Sequence, residues 1–228
     1  MPASSYPTVA TVTPALNEVG SITAVLEALP SVGWAVVVDN GSTDGTADRA
    51  RSAGAHVIPE PRRGYGQAVF TGAQWALAQG AEIIAVVDAD LSDDPARLPL
   101  ILGPLLRGEA DLVLSDRTDL ALPSALFPHQ RWGNRLATTL MAWATGRRFA
   151  DMGPLRAMTA AAWRRLALED RSYGWNVEMQ MKAVQRGLRV VELPSPYRDR
   201  VGTSKISGTV RGTFAAGNKI IRSVWRYR

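Results

Sequence analysis

The chain has 228 residues, a length that suits one large domain with a single hydrophobic core or two very small domains. Hydrophobic residues make up 46% of the sequence, which argues against intrinsic disorder. Cysteine is absent, so disulfide frameworks and thiolate metal sites are excluded. The sequence shows no secretory signal, and no apolar run approaches the roughly 20 residues of a membrane span, so we expect a soluble or peripheral protein.

The net charge of +5 is concentrated towards the C-terminal end. Residues 186–228 hold ten lysines and arginines and only two acidic residues, whereas the preceding part is mildly acidic. A basic segment on such a body favours an anionic partner: a phosphate ligand, lipid headgroups or nucleic acid. A tail that only adds solubility is the alternative.

Short apolar runs alternate with amphipathic stretches over the first 115 residues. Most of these runs carry hardly any polar residue, as is typical of strands buried on both faces of a parallel sheet. The predicted strands are Thr8–Thr13, Ala35–Asp39, Val57–Pro59, Ile83–Asp88 and Leu112–Ser115. The predicted helices are Glu18–Ala28, Thr46–Ala53, Gln67–Gln79 and Ala96–Leu106. This alternation predicts an α/β layered domain.

The second half of the chain begins with a polar loop over residues 116–130. Three further helices and a last strand are predicted at Arg131–Thr145, Ala160–Leu168, Val177–Arg186 and Arg189–Leu193. Residues 194–208 are rich in Pro, Gly, Ser and Arg, which predicts a loop. We therefore expect one domain over residues 1–208, followed by a basic amphipathic segment, 209–228, that is helical and part of the same unit.

Carboxylates follow buried strands, at the edge of a parallel sheet where ligands bind. Asp88 and Asp90 are two residues apart, and on a strand they would project to the same side at about 6.6 Å. Such carboxylates repel each other unless a positive charge lies beside them, and a hard divalent cation with oxygen ligands meets that need. The pair therefore predicts a site for Mg²⁺ or Mn²⁺. A turn with helix-capping aspartates is the alternative, and it fits Asp93 and Asp94.

Asp39 ends the second predicted strand and precedes a run of turn-forming residues, Asn40–Thr46. Within that run, Ser42 or Asp44 can cap the next helix, so Asp39 is not needed as a cap. Its carboxylate could instead accept hydrogen bonds from a nucleotide base or ribose.

Six short motifs resemble, in order and content, those of the family 2 glycosyltransferases with the GT-A fold. They are Pro14–Glu18, Val37–Thr46, Asp88–Asp90, Asp151–Arg156, Tyr173–Glu178 and Arg200–Lys205. The likeness is strongest to the dolichol- or polyprenyl-phosphate mannose or glucose synthase branch. It implies a Rossmann-like single domain with a mostly parallel central sheet flanked by helices. It also implies an inverting, metal-dependent transfer of mannose or glucose from a GDP- or UDP-hexose to a polyprenyl or dolichyl phosphate, with no nucleic-acid partner.

The resemblance also assigns roles to individual residues. Pro14 and Glu18 would line the nucleotide pocket, and Asp39 would contact the base. Asp88 and Asp90 would form the metal-binding Asp-X-Asp motif. Four basic residues would face the donor diphosphate and an anionic acceptor: Arg117, Arg131, Arg200 and Lys205. The residues expected to take part in catalysis are Asp90, Arg117, Arg131 and Glu178.

Two positions depart from the family pattern. Where relatives often carry a second aspartate after the base-binding one, this chain has Asn40, which would alter base preference. Where many polyprenyl-phosphate mannose synthases have a glutamine as an extra metal ligand, this chain has Ser92. Because of this second departure, the metal would lack that glutamine as a ligand.

The acceptor decides whether a general base is needed. A lipid phosphate is already ionised near neutral pH, since a phosphate monoester loses its second proton at about pH 6. A sugar hydroxyl would have to give its proton to a carboxylate, for which Glu178 and Asp151 are candidates. Glu178 could equally be a first-turn glutamate favoured by the helix dipole.

Three other classes of function explain the residues less well. A dinucleotide oxidoreductase is suggested by Gly64-Tyr65-Gly66, but Val69 stands where the third glycine belongs, and the run follows the third strand. A nucleotidyltransferase should show a Gly-rich basic loop after the first strand, where this chain has Pro14–Glu18. A nucleic-acid binder would leave the strand-end carboxylates without a purpose.

The C-terminal segment reads as an amphipathic helix. Val210, Phe214, Ile221 and Trp225 fall within about 60° of one another at roughly 100° per residue, beside a basic face. Such a helix suits the headgroup layer of a membrane. We therefore expect a cytoplasmic protein that binds peripherally to the inner face of the cell membrane. Packing of the apolar stripe on the body of the domain is the alternative.

Overall fold

A computed structural model of the chain describes residues 7–31, 33–122, 124–125, 128–202 and 221–228. The strands are β1 Val9–Ala15, β2 Gly33–Asp39, β3 His56–Pro59, β4 Ile83–Val86, β5 Leu112–Asp116, β6 Arg156–Thr159 and β7 Val190–Pro194. The helices are α1 Ile22–Ala28, α2 Thr46–Ser52, α3 Tyr65–Ala78, α4 Leu98–Leu106, α5 Pro128–Thr145, α6 Ala160–Leu166 and α7 Trp175–Gln185. A 3₁₀ turn, Pro95–Arg97, precedes α4, and residues 221–226 are also helical.

The strands form one seven-stranded sheet with the order β3-β2-β1-β4-β6-β5-β7. Strand β6 runs antiparallel to both of its neighbours, β4 and β5, and the other neighbouring pairs are parallel. The predicted fold, a mostly parallel sheet in an α/β domain, is confirmed. Strand β6 was not predicted, because four residues that begin with an arginine give too little periodicity to be recognised.

Helices cover both faces of the sheet because neighbouring residues of each strand point to opposite sides. In β4, Ile84 and Val86 pack into the cluster that contains residues of α3, α5, α6 and α7. Ile83 and Ala85 pack into the cluster that contains residues of α1 and α4. All four β4 residues are buried, which explains why this strand reads as a continuous apolar run.

Several predicted boundaries shift, and two of the shifts affect the site. Strand β4 ends at Val86, so Asp88 and Asp90 lie in the turn that follows rather than on the strand. The argument that strand geometry places them on one side is therefore wrong for this pair. Helix α1 begins at Ile22 instead of Glu18, and this leaves Glu18 in the loop after β1.

The last residues of the chain pack against the domain. Val224 and Tyr227 are buried in the same cluster as α7, and the Gln185 side chain donates a hydrogen bond to the Tyr227 carbonyl. Ile221 and Trp225, which we expected on an apolar stripe, are exposed. The predicted boundary at residue 208 and the positions Val210 and Phe214 lie outside the described residues. No helix in the described part is long and apolar enough to cross a bilayer.

Candidate active site

A cavity of about 440 Å³ opens at the carboxyl ends of β1, β2 and β4. This is the edge at which ligands bind in open parallel sheets. Of the residues that we predicted for the site, the described lining includes Pro14, Glu18, Asp88, Asp90 and Arg200. The topology therefore brings together residues that lie up to 186 positions apart in the sequence.

The loop after β1 is held against the loop after β2 by hydrogen bonds between the two motifs. The backbone N–H groups of Asn17 and Glu18 donate to the hydroxyls of Ser42 and Thr46, at 2.9 and 2.8 Å. In return, the Thr43 N–H donates to Asn17 Oδ1 at 2.8 Å. Glu18 is thereby fixed at the rim of the cavity, where its side chain is only 8% exposed.

The two predicted helix caps have different partners. Asp44 Oδ1 accepts hydrogen bonds from the backbone N–H and the hydroxyl of Thr46, the first residue of α2. The hydroxyl of Ser42 is used instead by the loop after β1. The N-cap of α2 is Gly45, so Asp44 supports the start of the helix from one residue earlier, whereas Ser42 joins the two loops.

Asp39 is half-buried, and its Oδ1 accepts a hydrogen bond from the Ser42 N–H at 3.1 Å. It lies at the end of β2, but it is not among the described residues that line the cavity. Its neighbour Asn40 does line the cavity and is buried. Asp39, which we predicted to contact the base, therefore lies beside the described cavity lining and not in it.

Asn40 holds the segment that enters α3. Its Nδ2 donates to the carbonyls of Glu60 and Arg62 at 2.9 and 2.8 Å, and its Oδ1 accepts from the Gly64 N–H at 2.9 Å. An aspartate could accept the last bond but could not donate the other two. This departure from the family pattern thus has a structural explanation in the present chain.

The start of α3 approaches another backbone segment closely. The Gln67 N–H donates to the Arg171 carbonyl at 2.9 Å, and a Cβ on Gly66 would lie 2.4 Å from the Asp170 carbonyl oxygen. Gly64 adopts φ of 146°, a conformation that suits glycine. The glycines around Tyr65 therefore serve this close approach, which the sequence could not reveal.

Asp88 lies in a partly enclosed, negatively charged setting. The Tyr65 hydroxyl donates to Asp88 Oδ1 at 3.0 Å. Burial and the neighbouring charge of Asp90 raise the pKa of Asp88 to about 7, and burial followed by the charge of Asp88 raises the pKa of Tyr65. Tyr65 was missed by sequence reasoning, although its position beside two glycines at a helix start was a usable signal.

Asp90 is 6% exposed and uses both of its carboxylate oxygens. Its Oδ1 accepts hydrogen bonds from the backbone N–H and the hydroxyl of Ser92, and its Oδ2 forms an ion pair with Arg200 Nη2 at 2.9 Å. The same guanidinium nitrogen lies 3.4 Å from Glu18 Oε1. A backbone hydrogen bond from the Val201 N–H to the Asp90 carbonyl fixes the segment that carries Arg200.

The carboxylates of Asp88 and Asp90 fit a hard divalent cation whose remaining coordination positions are filled by a bound ligand. Asp88 and Asp90 both face the cavity, and no group of three or more His, Cys, Asp or Glu side chains able to hold a metal occurs among the described residues. Mg²⁺ in particular is often held by one or two carboxylates together with substrate phosphates and water. Burial of two adjacent carboxylates also explains why a positive charge is needed at this point.

Behind this wall lies a second charged group. Arg117 forms a bidentate ion pair with Asp151, at 2.6 and 2.9 Å, and its guanidinium lies 4.7 Å from the centre of the Tyr197 ring. Burial lowers the pKa of Arg117, but the charge of Asp151 and the hydrogen bonds to it, with smaller contributions from Tyr197 and Asp93, make the net shift upward. Arg117 is not among the described residues of the cavity lining.

The helix-capping role that the sequence suggests for Asp93 and Asp94 holds for Asp94 and is wrong for Asp93. The cap of the 3₁₀ turn is Asp94, whose Oδ1 accepts from the Ala96 N–H. Asp93 is 2% exposed, and neither of its carboxylate oxygens has a hydrogen-bond partner among the described residues. Burial, and then the charge of Asp88, raise the pKa of Asp93 well above its ordinary value.

Three further predicted residues lie elsewhere. Arg131 is on the exposed side of α5, and it is not among the described residues around the cavity. Lys205 lies outside the described residues. Glu178 is fully buried, accepts hydrogen bonds from the Glu169 and Asp170 N–H groups, and pairs with Lys182 at 2.6 Å. Its contacts anchor a loop, so we assign Glu178 a structural role in place of the general-base role.

Comparisons with known proteins agree with this architecture. The chain matches the family model for Glycosyl transferase family 2 over residues 11–164. An uncharacterised glycosyltransferase of Mycobacterium tuberculosis strain H37Rv is 41% identical over 213 residues, which cover 91% of this chain and 94% of that protein. The undecaprenyl-phosphate mannosyltransferase of Micrococcus luteus is 31% identical over 223 residues, which cover 90% of this chain and 89% of that protein.

A solved structure extends the likeness to the fold. Glucosyl-3-phosphoglycerate synthase from M. tuberculosis, crystallised with Mn²⁺, UDP and glucosyl-3-phosphoglycerate, matches with a TM-score of 0.76 and 23% sequence identity. The match covers 97% of this chain and 80% of that chain. The predicted GT-A fold is thereby confirmed. With a family model that spans more than half of its length and relatives of this similarity, the chain belongs to glycosyl transferase family 2.

Proposed function

We propose that this glycosyltransferase moves a hexose, mannose or glucose, from a GDP- or UDP-sugar to a polyprenyl phosphate, with Mg²⁺ or Mn²⁺ bound at Asp88 and Asp90. The observation that carries the proposal is the cavity at the carboxyl edge of the sheet, which is lined by both carboxylates and by Arg200, the ion-pair partner of Asp90. The likeness to the M. luteus undecaprenyl-phosphate mannosyltransferase, at 31% identity over nine tenths of the chain, supports the acceptor class.

The charges of the cavity suggest how the donor lies. Its diphosphate would sit beside the Asp88–Asp90 turn, where a cation can bridge carboxylates and phosphate oxygens. Arg200 adds a positive charge to that end, since it lines the cavity and its Nη2 lies 2.9 Å from Asp90 Oδ2. The nucleoside would lie towards Pro14 and Glu18, with Asp39 beside the wall.

The chemical step needs little from the protein beyond position and charge. An oxygen of the acceptor phosphate attacks the anomeric carbon, the bond to the donor diphosphate breaks, and its electron pair leaves with the nucleoside diphosphate. Attack opposite the leaving group inverts the anomeric configuration. A bound cation would offset the charge that develops on the leaving diphosphate, and the Arg200 guanidinium adds charge-assisted hydrogen bonds.

The settings of the two candidate bases favour an acceptor that is already ionised. Burial raises the pKa of Asp151, but the charge of Arg117 together with hydrogen bonds from Arg117 and Met152 lowers it overall. Glu178 is saturated by backbone N–H groups and Lys182. Neither is poised to take a proton, and a phosphate acceptor does not need a general base.

A second candidate is transfer to a small soluble acceptor. It is favoured by the likeness to glucosyl-3-phosphoglycerate synthase, which was crystallised with glucosyl-3-phosphoglycerate and, in another structure, with phosphoglyceric acid. That likeness, at 23% identity, supports the fold alone. We therefore rank this candidate below transfer to a lipid phosphate. As a separate part of the proposal, the activity lies at the cytoplasmic face of the membrane.

The test is a transfer assay with radiolabelled GDP-mannose, GDP-glucose, UDP-glucose and UDP-mannose in Mg²⁺ or Mn²⁺. The acceptors are a short-chain polyprenyl phosphate, the matched polyprenol without phosphate, and 3-phosphoglycerate. We expect label in the polyprenyl phosphate alone, and loss of transfer with EDTA. Faster labelling of 3-phosphoglycerate or of the polyprenol would overturn the proposed acceptor.

A further inference from the structure

Helix α5 presents an exposed stripe that the described part of the domain does not cover. Trp132 and Trp143 are 68% and 58% exposed. They are eleven residues apart, about three helical turns, so they lie on the same face. Ala137 and Met141, on the other side of the helix, are fully buried. Packing in the domain therefore uses one face of α5 and leaves two large aromatic side chains in solvent.

The C-terminal helix adds a third tryptophan to this face. Trp225 is 62% exposed, and its ring meets that of Trp143 edge-on, with 5.9 Å between centroids. The guanidinium of Arg228 lies 4.1 Å from the centre of the Trp143 ring. Since Val224 and Tyr227 already anchor the segment in the core, Trp225 is not needed for that attachment. We call Trp132, Trp143 and Trp225, with Arg135, Arg148 and Arg228, the tryptophan surface.

The segments that form this surface have one sign of charge. Residues 128–148 and 221–228 contain seven arginines and no aspartate or glutamate. Arg226 pairs with Glu169 of a neighbouring loop, but Arg135 and Arg148 lie exposed on or directly after α5. Exposed tryptophans among arginines are a combination that suits the boundary between water and an anionic bilayer, where the indole is half-solvated and the guanidinium meets phosphate.

The surface is linked to the candidate site through the start of α5. The side chain of Asn134 accepts a hydrogen bond from the Met152 N–H at 3.1 Å. Met152 directly follows Asp151, whose carboxylate holds Arg117 behind the cavity. The helix that carries Trp132 is thus fixed to the frame of the site.

We propose that the tryptophan surface docks on an anionic lipid bilayer. The charge of the surface selects anionic lipids, and its three indoles enter the headgroup layer without any segment spanning it. This inference deepens the proposed function, on which it rests for its purpose, because docking would hold the protein on the bilayer that carries the acceptor phosphate.

The experiment measures binding of the full chain to vesicles of phosphatidylcholine with 30% phosphatidylglycerol, and to phosphatidylcholine alone, at low and high salt. The variants are Trp132→Ala/Trp143→Ala and Arg135→Glu/Arg148→Glu. Leu100→Ala and Arg49→Glu are the matched controls, since both side chains are exposed, on α4 and α2 in the opposite layer. We expect salt-sensitive binding to the anionic vesicles that falls at least about tenfold in each double variant. The controls should bind like the wild-type chain.

Transfer to a water-soluble, short-chain polyprenyl phosphate separates this inference from the proposed function. Variants that lose vesicle binding but keep transfer support the docking surface. Vesicle binding without any transfer in the wild-type chain would overturn the proposed function and leave the surface standing. Unchanged vesicle binding in both double variants would overturn the surface. So would a wild-type chain that ignores anionic vesicles but self-associates through these tryptophans in sedimentation, or binds single-stranded RNA in their place.

Discussion

Two ion pairs of this molecule have similar lengths and different surroundings. Arg200 and Asp90 meet at 2.9 Å on the wall of the cavity, and the guanidinium keeps a hydrogen-bond donor without a partner among the described residues. Lys182 and Glu178 meet at 2.6 Å inside the domain, where backbone N–H groups occupy both carboxylate oxygens. The first pair lies where a ligand can reach it, whereas the second is enclosed and saturated by the fold. Access from the cavity, more than charge itself, separates a binding group from a structural one.

Asp90→Asn should have the largest effect on activity. The change keeps the shape of the side chain but removes an anionic ligand and the partner of Arg200. We expect transfer to fall by about 1,000-fold, in line with the loss of several kcal/mol of charge stabilisation. Steady-state transfer rates measure the loss, and an unchanged thermal unfolding curve shows that the fold is intact. A near-normal rate with metal-dependent donor binding would refute the metal assignment.

Glu178→Gln should act on stability instead. It leaves the ammonium of Lys182, which is 9% exposed, without its buried partner. Breaking such a pair by removing one charge costs about 3 kcal/mol or more. We expect the free energy of unfolding in urea to fall by about that amount, while kcat per folded molecule changes little. A variant of normal stability with no transfer would return Glu178 to the list of catalytic residues.

Arg200→Ala should weaken binding of the donor diphosphate selectively. We expect the Kd of a nucleoside diphosphate with Mg²⁺ to rise by about tenfold, because one charge-assisted hydrogen bond is lost, and that of the free nucleoside to stay nearly constant. Calorimetry with both ligands decides this. Arg198→Ala is a close control, since Arg198 pairs with Asp94 at 3.2 Å outside the cavity lining. Equal losses for the two ligands would show that Arg200 does not contact the phosphates.

The smallest expected effect is a shift in pH dependence. Asp88 has a raised pKa of about 7, so cation binding should weaken as the pH falls below 7 and the carboxylate takes up a proton. The sign for stability is the opposite: the folded state binds this proton more tightly than the unfolded state, so stability from Asp88 falls as the pH rises from about 4 to 7. Tyr65→Phe removes a hydrogen bond to the carboxylate, and it should move the midpoint of Mg²⁺-dependent nucleotide binding up by less than about one unit. A midpoint that moves down would contradict this reading of Tyr65.

Much of the cavity could be predicted because its residues sit where strands end. Asp88 and Asp90 follow from the apolar run before them, since parallel strands deliver their carboxyl ends to one edge. Pro14, Glu18 and Arg200 needed the family resemblance, and the structure places all three in the lining of the same cavity.

The remaining residues depend on geometry that periodicity does not encode. The turn after β4 hides Asp93 and presents Asp90, although both are aspartates three positions apart. Likewise, Arg117 pairs with Asp151 and is not among the described residues of the cavity lining. Arg131 lies exposed on α5. The sequence shows which residues are charged, but the fold determines which partner each charged side chain meets.

The guanidinium bridge from Glu18 to Asp90 places a positive charge of the protein itself beside the predicted metal ligands, with a consequence for the order of events. On the proposed function, a divalent ion that arrives alone would compete with Arg200 for Asp90. A nucleoside diphosphate that arrives with the ion would give Arg200 a new anionic partner and would free Asp90 for the metal. The two ligands would then be thermodynamically linked, each raising the affinity of the other by the same factor. We therefore expect free metal to bind weakly and the metal–nucleotide complex to bind tightly.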